Sequence, residues 1–358
     1  MQTNLKDYFP NIRTRDAVLE DIQQNIALKT IFDSWKPGEQ KLFLDYCTGA
    51  RGLKILYDPY FKEIMNPEYA PERLERLLSL ILGEQVHICQ ILPNDSTRLA
   101  DEGSLLVTDI IVEFADGRIA NVEVQKIGYY FPGERTACYI SDLMLRQYRR
   151  IRSESNNKFS YRDIREVYTI IFYESSPAEF SQFPDIYVHH GQNTFDSGLP
   201  FHIPMQIYMI PLDIFRKSFY NNGIRSPLDA WLAFLSFDTP EQIIHLIQEY
   251  PEFRPIYQNI YDICENAERM VTMFSKELAL MDQNTVQLMI DDLMEQVKDK
   301  QAALAKMDSA LAEKNAALAE KDSALAEKDA SIESLTRQIA EMADTIRTLQ
   351  AKIRSNRT

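Results

Sequence analysis

The chain has 358 residues, a formal net charge of −14 and 45% hydrophobic residues, enough for one substantial globular core plus appendages. No apolar run approaches the roughly 18 residues needed to span a bilayer, and the start, Met-Gln-Thr-Asn-Leu-Lys-Asp, lacks the shape of a signal peptide. Four scattered cysteines, Cys47, Cys89, Cys138 and Cys264, suggest neither a zinc knuckle nor a disulfide framework, so the expectation is a reduced, cytoplasmic protein with no membrane partner.

Residues 1–44 read as an N-terminal helical segment, with a break beginning at Trp35-Lys-Pro-Gly38. Residues 45–235 mix helix and strand and read as an α/β core. Within it, Asp58-Pro-Tyr-Phe-Lys-Glu-Ile64 precedes a helical segment over Pro71 to Leu82.

Residues 104–126 carry the densest chemistry. Two apolar strands flank a turn at Asp116-Gly117; the first bears Asp109 and the second Glu123 and Gln125. Side chains alternate faces along a strand, so Glu123 and Gln125 share one. A carboxylate inside an apolar run is costly to bury without a partner. A cation between Asp109 and Glu123 would remove their repulsion. The other reading is ordinary acidic residues on half-exposed strands.

The turn gives a geometric test. An Asp-Gly pair suggests a two-residue type I′ loop, which would pair Ile110 with Glu123 and put Asp109 on the wrong face. A three-residue loop, Asp116 to Arg118 with Gly117 or Arg118 at positive φ, pairs Asp109 with Gln125 and Ile111 with Glu123. A bulge would restore the same parity. A shared site therefore predicts an odd-length loop or a bulge.

A helix is expected from Arg135 to about Arg152, then a buried strand over Val167-Tyr-Thr-Ile-Ile-Phe-Tyr173. Arg146, Arg149 and Arg150 fall on one helical face, within a basic stretch that continues through Arg152, Lys158, Arg162 and Arg165. They could track a phosphate backbone, or form a solvated face offset by Glu154, Asp163 and Glu166. Ile186-Tyr-Val188 and Ile207 to Leu212 read as later strands, separated by the turn-rich stretch Gly191 to Gly198. His189 and His190 face opposite ways on an extended segment and make a poor chelating pair.

Residues 236–285 become a helical extension, with Pro240 at a first turn after Asp238-Thr239 and interruptions at Pro251 and Pro255. Residues 286–355 carry a heptad seam that runs from Val286, Ile290 and Leu293 to Ile346, Leu349 and Ile353. It reads as a coiled coil. In its central repeats Lys314, Lys321 and Lys328 occupy the second core position, where the stem can lie along a seam but the charge needs water. Self-association through 286–353 is expected. A surface-exposed helical tail is the alternative.

Taken together, the Asp58-x-x-Phe61-Lys62 segment, the pair of Asp109 with Val122-Glu-Val-Gln125, and the Arg135-x3-Tyr139 helix resemble the PD-(D/E)xK nuclease family transposases, related to recombination-promoting nucleases. Leu235-x-Phe237, Tyr250-Pro-Glu-Phe253 and Met273-Phe-Ser-Lys-Glu-Leu278 are similar too. The resemblance covers roughly residues 45–295. It implies a restriction-endonuclease-like PD-(D/E)xK core, divalent-metal-dependent cleavage of double-stranded DNA, and a link to mobile elements and DNA recombination. Asp109 and Glu123 would be metal ligands for Mg²⁺ or Mn²⁺, with the Val124 carbonyl as a third. Gln125 takes the position of the superfamily's lysine, which positions the attacking water and stabilises developing charge; glutamine hydrogen-bonds but carries no charge. Arg135 could reach a phosphate from the start of its helix or form a structural ion pair. Tyr139, one turn on, is expected to pack. Lys126 is expected on the face opposite Gln125.

The resulting expectation is a metal-dependent DNA endonuclease acting as a coiled-coil oligomer. The net charge and Gln125 leave open a degenerate nuclease fold that binds nucleic acid or a partner without cutting, or a scaffold whose coiled coil is the function.

Overall fold

A computed structural model describes residues 4–92, 110–126, 132–154 and 159–355. The chain divides into two compact units, residues 1–288 and 289–358.

The first unit opens with helices α1 (Arg15–Gln24), α2 (Ile26–Ser34) and α3 (Pro37–Cys47). The break foreseen at Trp35 is the hinge between α2 and α3, because Pro37 can start a helix but not continue one. Then come α4 (Asp58–Ile64) and α5 (Pro71–Leu82). The α5 helix shows how local sequence sets the elements. Pro71 opens it, Leu74, Leu77, Leu78 and Ile81 recur on one buried stripe, and Gly83 at φ 72° closes it. Only glycine takes that left-handed position cheaply.

Among the described residues the sheet has six strands: β1 (Ile88–Leu92), β2 (Ile110–Phe114), β3 (Ile119–Gln125), β4 (Val167–Tyr173), β5 (His189–Gly191) and β6 (Met205–Pro211). Their order is β1-β2-β3-β4-β6-β5. β3, β4 and β6 run parallel, and the remaining pairings are antiparallel. Helix α6 (Pro132–Glu154) lies between β3 and β4 in the chain, as a parallel pair requires a crossover. β1 was not foreseen. The strand expected at 186–188 lies instead just after it, at His189–Gly191.

The two sheet faces differ. Ile110, Val112, Phe114, Ala120, Val122, Ile170, Phe172 and Ile210 point into the main core. That core also takes residues of α8 (Pro227–Ser236), α9 (Pro240–Glu249), α10 (Arg254–Cys264) and the early turns of α11 (Ala267–Ser355). Between the sheet and α8 runs α7 (Leu212–Asn222). On the opposite face Ile111, Ile119 and Val167 pack with Ile140 and Leu143 of α6. Alternation along each strand separates these two sets.

The second unit is helical from 289 to 355. Its seam residues are exposed, Leu304, Leu311, Leu318 and Leu325 each by more than half. The helix expected there is present. Among the described residues no helix is long and apolar enough to cross a membrane.

Candidate functional site

The β2–β3 hairpin closes through Phe114, whose N–H donates to Arg118 O at 2.8 Å, while Gly117 N–H donates to Phe114 O at 2.9 Å. The loop is therefore Ala115 to Gly117, with Gly117 at φ 84°. Asp116 stiffens it by accepting from Arg118 N at 3.1 Å and Arg118 Nε at 2.7 Å. The loop is odd, as a shared site requires, but starts one residue earlier than expected. Ile110 pairs with Val122, and Ile111 with Asn121 rather than Glu123. The Phe114–Arg118 closure sets that register. Asp109, one residue before Ile110, lies outside the described residues.

The α6 face of β3 carries a polar series in an otherwise apolar strand: Asn121, Glu123 and Gln125, with exposures of 0, 4 and 5%. Glu123 and Gln125 share this face as expected, beside Ile171 and Tyr173 of β4. Asn121 Nδ2 donates to Glu123 Oε1 at 2.9 Å. Among the described residues, neither polar atom of the buried Gln125 side chain has a hydrogen-bond partner, nor do the buried Asn121 Oδ1 and Thr169 Oγ1; Thr169 is the register partner of Asn121. Buried polar atoms left unmatched cost free energy, and such orphans in a folded protein point to a ligand, an ion or water.

Asn121 and Thr169 escaped the sequence reading. The signal was available: Asn121, Glu123 and Gln125 share one parity in Ile-Ala-Asn-Val-Glu-Val-Gln, so a polar Asn121 belongs to the same face.

Helix α6 packs on this face of the sheet through Ile140 and Leu143 and carries the buried polar residues Thr136, Tyr139, Asp142 and Gln147; Gln147 stands at the hairpin end, its Nε2 donating to Gly117 O at 3.4 Å. Tyr139 is packed, as expected. Arg146 pairs with Asp142, Nε to Oδ2 at 2.8 Å. Arg150 holds Glu113 in a two-pronged pair, with Nη2 to Oε1 at 2.6 Å, and Gln90 also bonds Glu113. Arg149 is exposed. The three arginines thus do not form one uniform exposed face: two engage carboxylates and one faces solvent. Arg135 lies in the first turns of α6, but its side chain is outside the described residues. A cavity of about 240 Å³ adjoins Arg146, Gln147 and Arg150, with Leu92, Ile111, Ile119 and Leu143 in its lining.

Lys126 lies on the other side, as alternation predicted. It pairs with Glu277 of α11, whose side chain is fully buried, and its ammonium stands 5.3 Å from the Tyr57 ring centroid. Glu277 Oε2 accepts Asp58 N–H at 3.0 Å. Burial pushes the Glu277 carboxyl above its ordinary pKa, and Lys126 opposes that shift. The end of β3 is thereby tied to the starts of α4 and α11.

Among the described residues, no three His, Cys, Asp or Glu side chains converge as a metal cluster. Glu123 is the buried carboxylate of the series, and the oxygens of Asn121, Gln125 and Thr169 stand on the same face. Oxygen donors of this kind suit a hard divalent cation.

Residues 55–288 match a family model described as PD-(D/E)XK nuclease family transposase. No curated protein and no solved structure matches the chain.

Proposed function

We propose, from the premise that the chain belongs to the PD-(D/E)XK nuclease family transposases, that it is a divalent-metal-dependent DNA endonuclease with its centre on the α6 face of β3. The observation that carries this reading is the buried series Asn121, Glu123 and Gln125, with both Gln125 polar atoms unmatched. Nothing in a purely structural strand requires three polar groups on one buried face.

Glu123 and Asp109 would hold Mg²⁺ or Mn²⁺, with the Val124 carbonyl as a third oxygen. Asp109 has the parity of Ile111, which packs on the α6 face. A bound cation of this kind lowers the pKa of a water and neutralises charge at a scissile phosphate. Asn121 fixes the Glu123 carboxylate through Oε1. Gln125 orients the attacking water or a phosphate oxygen through its amide, and brings no charge. Arg135 and Arg149 would meet DNA phosphates. Arg146 and Arg150 could do so only by sharing Asp142 and Glu113 with them.

A second reading is a nuclease fold that binds DNA or a partner without cutting. It is favoured by the neutral Gln125 and by the commitment of Arg146 and Arg150 to carboxylates. In both readings, self-association through the heptad seam at 286–353 would bring two cores together; in the first, that would set one centre against each strand of a duplex.

The test is a calorimetric titration of the full chain with Mn²⁺. Binding that is lost in Glu123→Gln, with secondary structure retained, supports the assignment. Equal binding by wild type and Glu123→Gln removes Glu123 as a ligand.

A further inference from the structure

The C-terminal end of α6 carries a ring cluster that plays no part in the site above. Tyr148 and Tyr161 are stacked, with centroids 6.2 Å apart and planes 11° from parallel. Phe159 stands edge-on to both, at 5.2 Å from each. Tyr161 is nonetheless 77% exposed. Its position is set by backbone bonds at Ser160: the hydroxyl accepts Arg162 N–H at 3.2 Å, and Ser160 N–H donates to Asp163 Oδ2 at 2.8 Å. Tyr148 supports one side of Tyr161, and the rest of the ring faces solvent.

Four arginines, Arg149, Arg152, Arg162 and Arg165, surround this cluster in sequence, with Glu154 and Asp163 among them. The Arg152 guanidinium lies 5.7 Å from the Tyr148 centroid and bonds the Tyr148 hydroxyl. Arg149, Arg162 and Arg165 are exposed and make no ion pair among the described residues. In a chain of net charge −14, a local group of arginines around a presented ring is complementary to a polyanion with flat faces.

We propose that this patch stacks unpaired nucleotides of the DNA substrate, with Tyr161 as the platform and Arg149, Arg152 and Arg162 on the phosphates. The inference rests on the nuclease reading for its choice of DNA. Bases within a duplex already stack on their neighbours, so an exposed ring selects unpaired ones; every base offers such a face, so no sequence preference follows. The helix whose Arg146 and Arg150 line the cavity at the Ile119 end of β3 also carries Tyr148, Arg149 and Arg152. A strand followed along α6 from the Glu123 end of β3 past its Ile119 end therefore meets the patch. The bound substrate is a duplex with a frayed or single-stranded flank.

The experiment is fluorescence anisotropy on the full chain in EDTA, where a metal-dependent nuclease does not cut. The probes are a blunt duplex, the same duplex with a single-stranded overhang, and a single strand. Tyr161→Ala should weaken overhang and single-strand binding about 5- to 100-fold and leave blunt-duplex binding within about twofold. Tyr161→Phe, which keeps the ring, should bind as wild type does. Overhang binding unchanged in Tyr161→Ala, or an equal loss on all three probes, overturns the proposal, and so does a wild type that binds none of them. Absence of metal-dependent nicking by wild type would defeat the nuclease reading alone, because the anisotropy result is obtained without metal.

Discussion

Asn121 Nδ2 and Glu123 Oε1 are 2.9 Å apart, two positions along one strand, with both side chains buried. A carboxylate held this way has one oxygen fixed in place by a neutral donor, which brings no charge to offset its own. Groups that hold a metal ligand in place are commonly worth about 10- to 100-fold in metal affinity.

Asn121→Ala should therefore weaken Mn²⁺ binding about 10- to 100-fold in a calorimetric titration. It should also lower stability by about 1.5–3 kcal/mol, the usual worth of a hydrogen bond to a charged group, measured by urea unfolding. Lost stability with unchanged metal affinity would make Asn121 a packing residue.

In the proposed centre, Gln125 would stand where a cation could stabilise developing phosphate charge. Gln125→Lys places an ammonium beside Glu123, which compensates the burial of both charges. Plasmid nicking should rise about tenfold or more, in line with the worth of an added charge at a reacting phosphate. Gln125→Ala should lower it by a similar factor. A slower Gln125→Lys would show that the amide supplies a hydrogen bond lysine cannot replace.

Much of this arrangement could be read from the residues, and the limits have physical causes. β2, β3 and β4 were visible as apolar runs, and the odd hairpin loop followed from requiring one face for the acidic groups. The loop position was missed by one residue because Phe114 and Arg118 close it, and turn residues alone do not say which flanking pair will bond. β1 was missed because Ile88-Cys-Gln-Ile-Leu92 has neither alternation nor a β-branched run to mark a strand. It is an edge strand, with Cys89 and Gln90 exposed. The partner of Arg150 could not be foreseen, because Glu113 comes from β2; that of Arg146 is Asp142, four residues earlier on the same helix, a spacing the sequence does show. The long helix was legible from its heptads; whether its seam is covered by a second copy depends on association, which spacing does not measure.

The pair of Lys126 and Glu277 joins the end of β3 to α11, and removing one partner of a buried pair typically costs about 3–5 kcal/mol. Lys126→Met and Glu277→Leu should each destabilise by about that amount, and the double variant by less than their sum. Burial holds the Glu277 carboxyl above its ordinary pKa. The folded chain therefore binds that proton more readily than the unfolded chain does, and stability from this group is present at low pH and lost as pH rises through the folded-state value. Lys126→Met removes the opposing charge and widens that window. Its stability deficit against wild type should shrink as pH falls and Glu277 becomes neutral. A deficit independent of pH would mean that Glu277 is not the group left uncompensated.

Lys314, Lys321 and Lys328 interrupt the apolar seam of the second unit. Replacing all three by leucine should raise the thermal midpoint of the tail, followed by circular dichroism, and tighten self-association in sedimentation equilibrium, because buried leucines favour coiled-coil pairing and buried ammonium groups oppose it. No change in either measurement would mean that these positions face solvent in the assembled protein and that the seam is not the contact.

The central claim is that a metal-dependent nuclease centre is built on Glu123 with Asp109. It is tested most directly by nicking of supercoiled plasmid by the full chain with Mg²⁺ or Mn²⁺. Wild type, Asp109→Asn and Glu123→Gln should be purified side by side, with an EDTA control. The account predicts nicking by wild type that needs the metal and falls at least about a hundredfold in each variant, the scale on which loss of a main electrostatic contributor acts. Equal nicking by wild type and Glu123→Gln, or none by wild type with either metal, would contradict it.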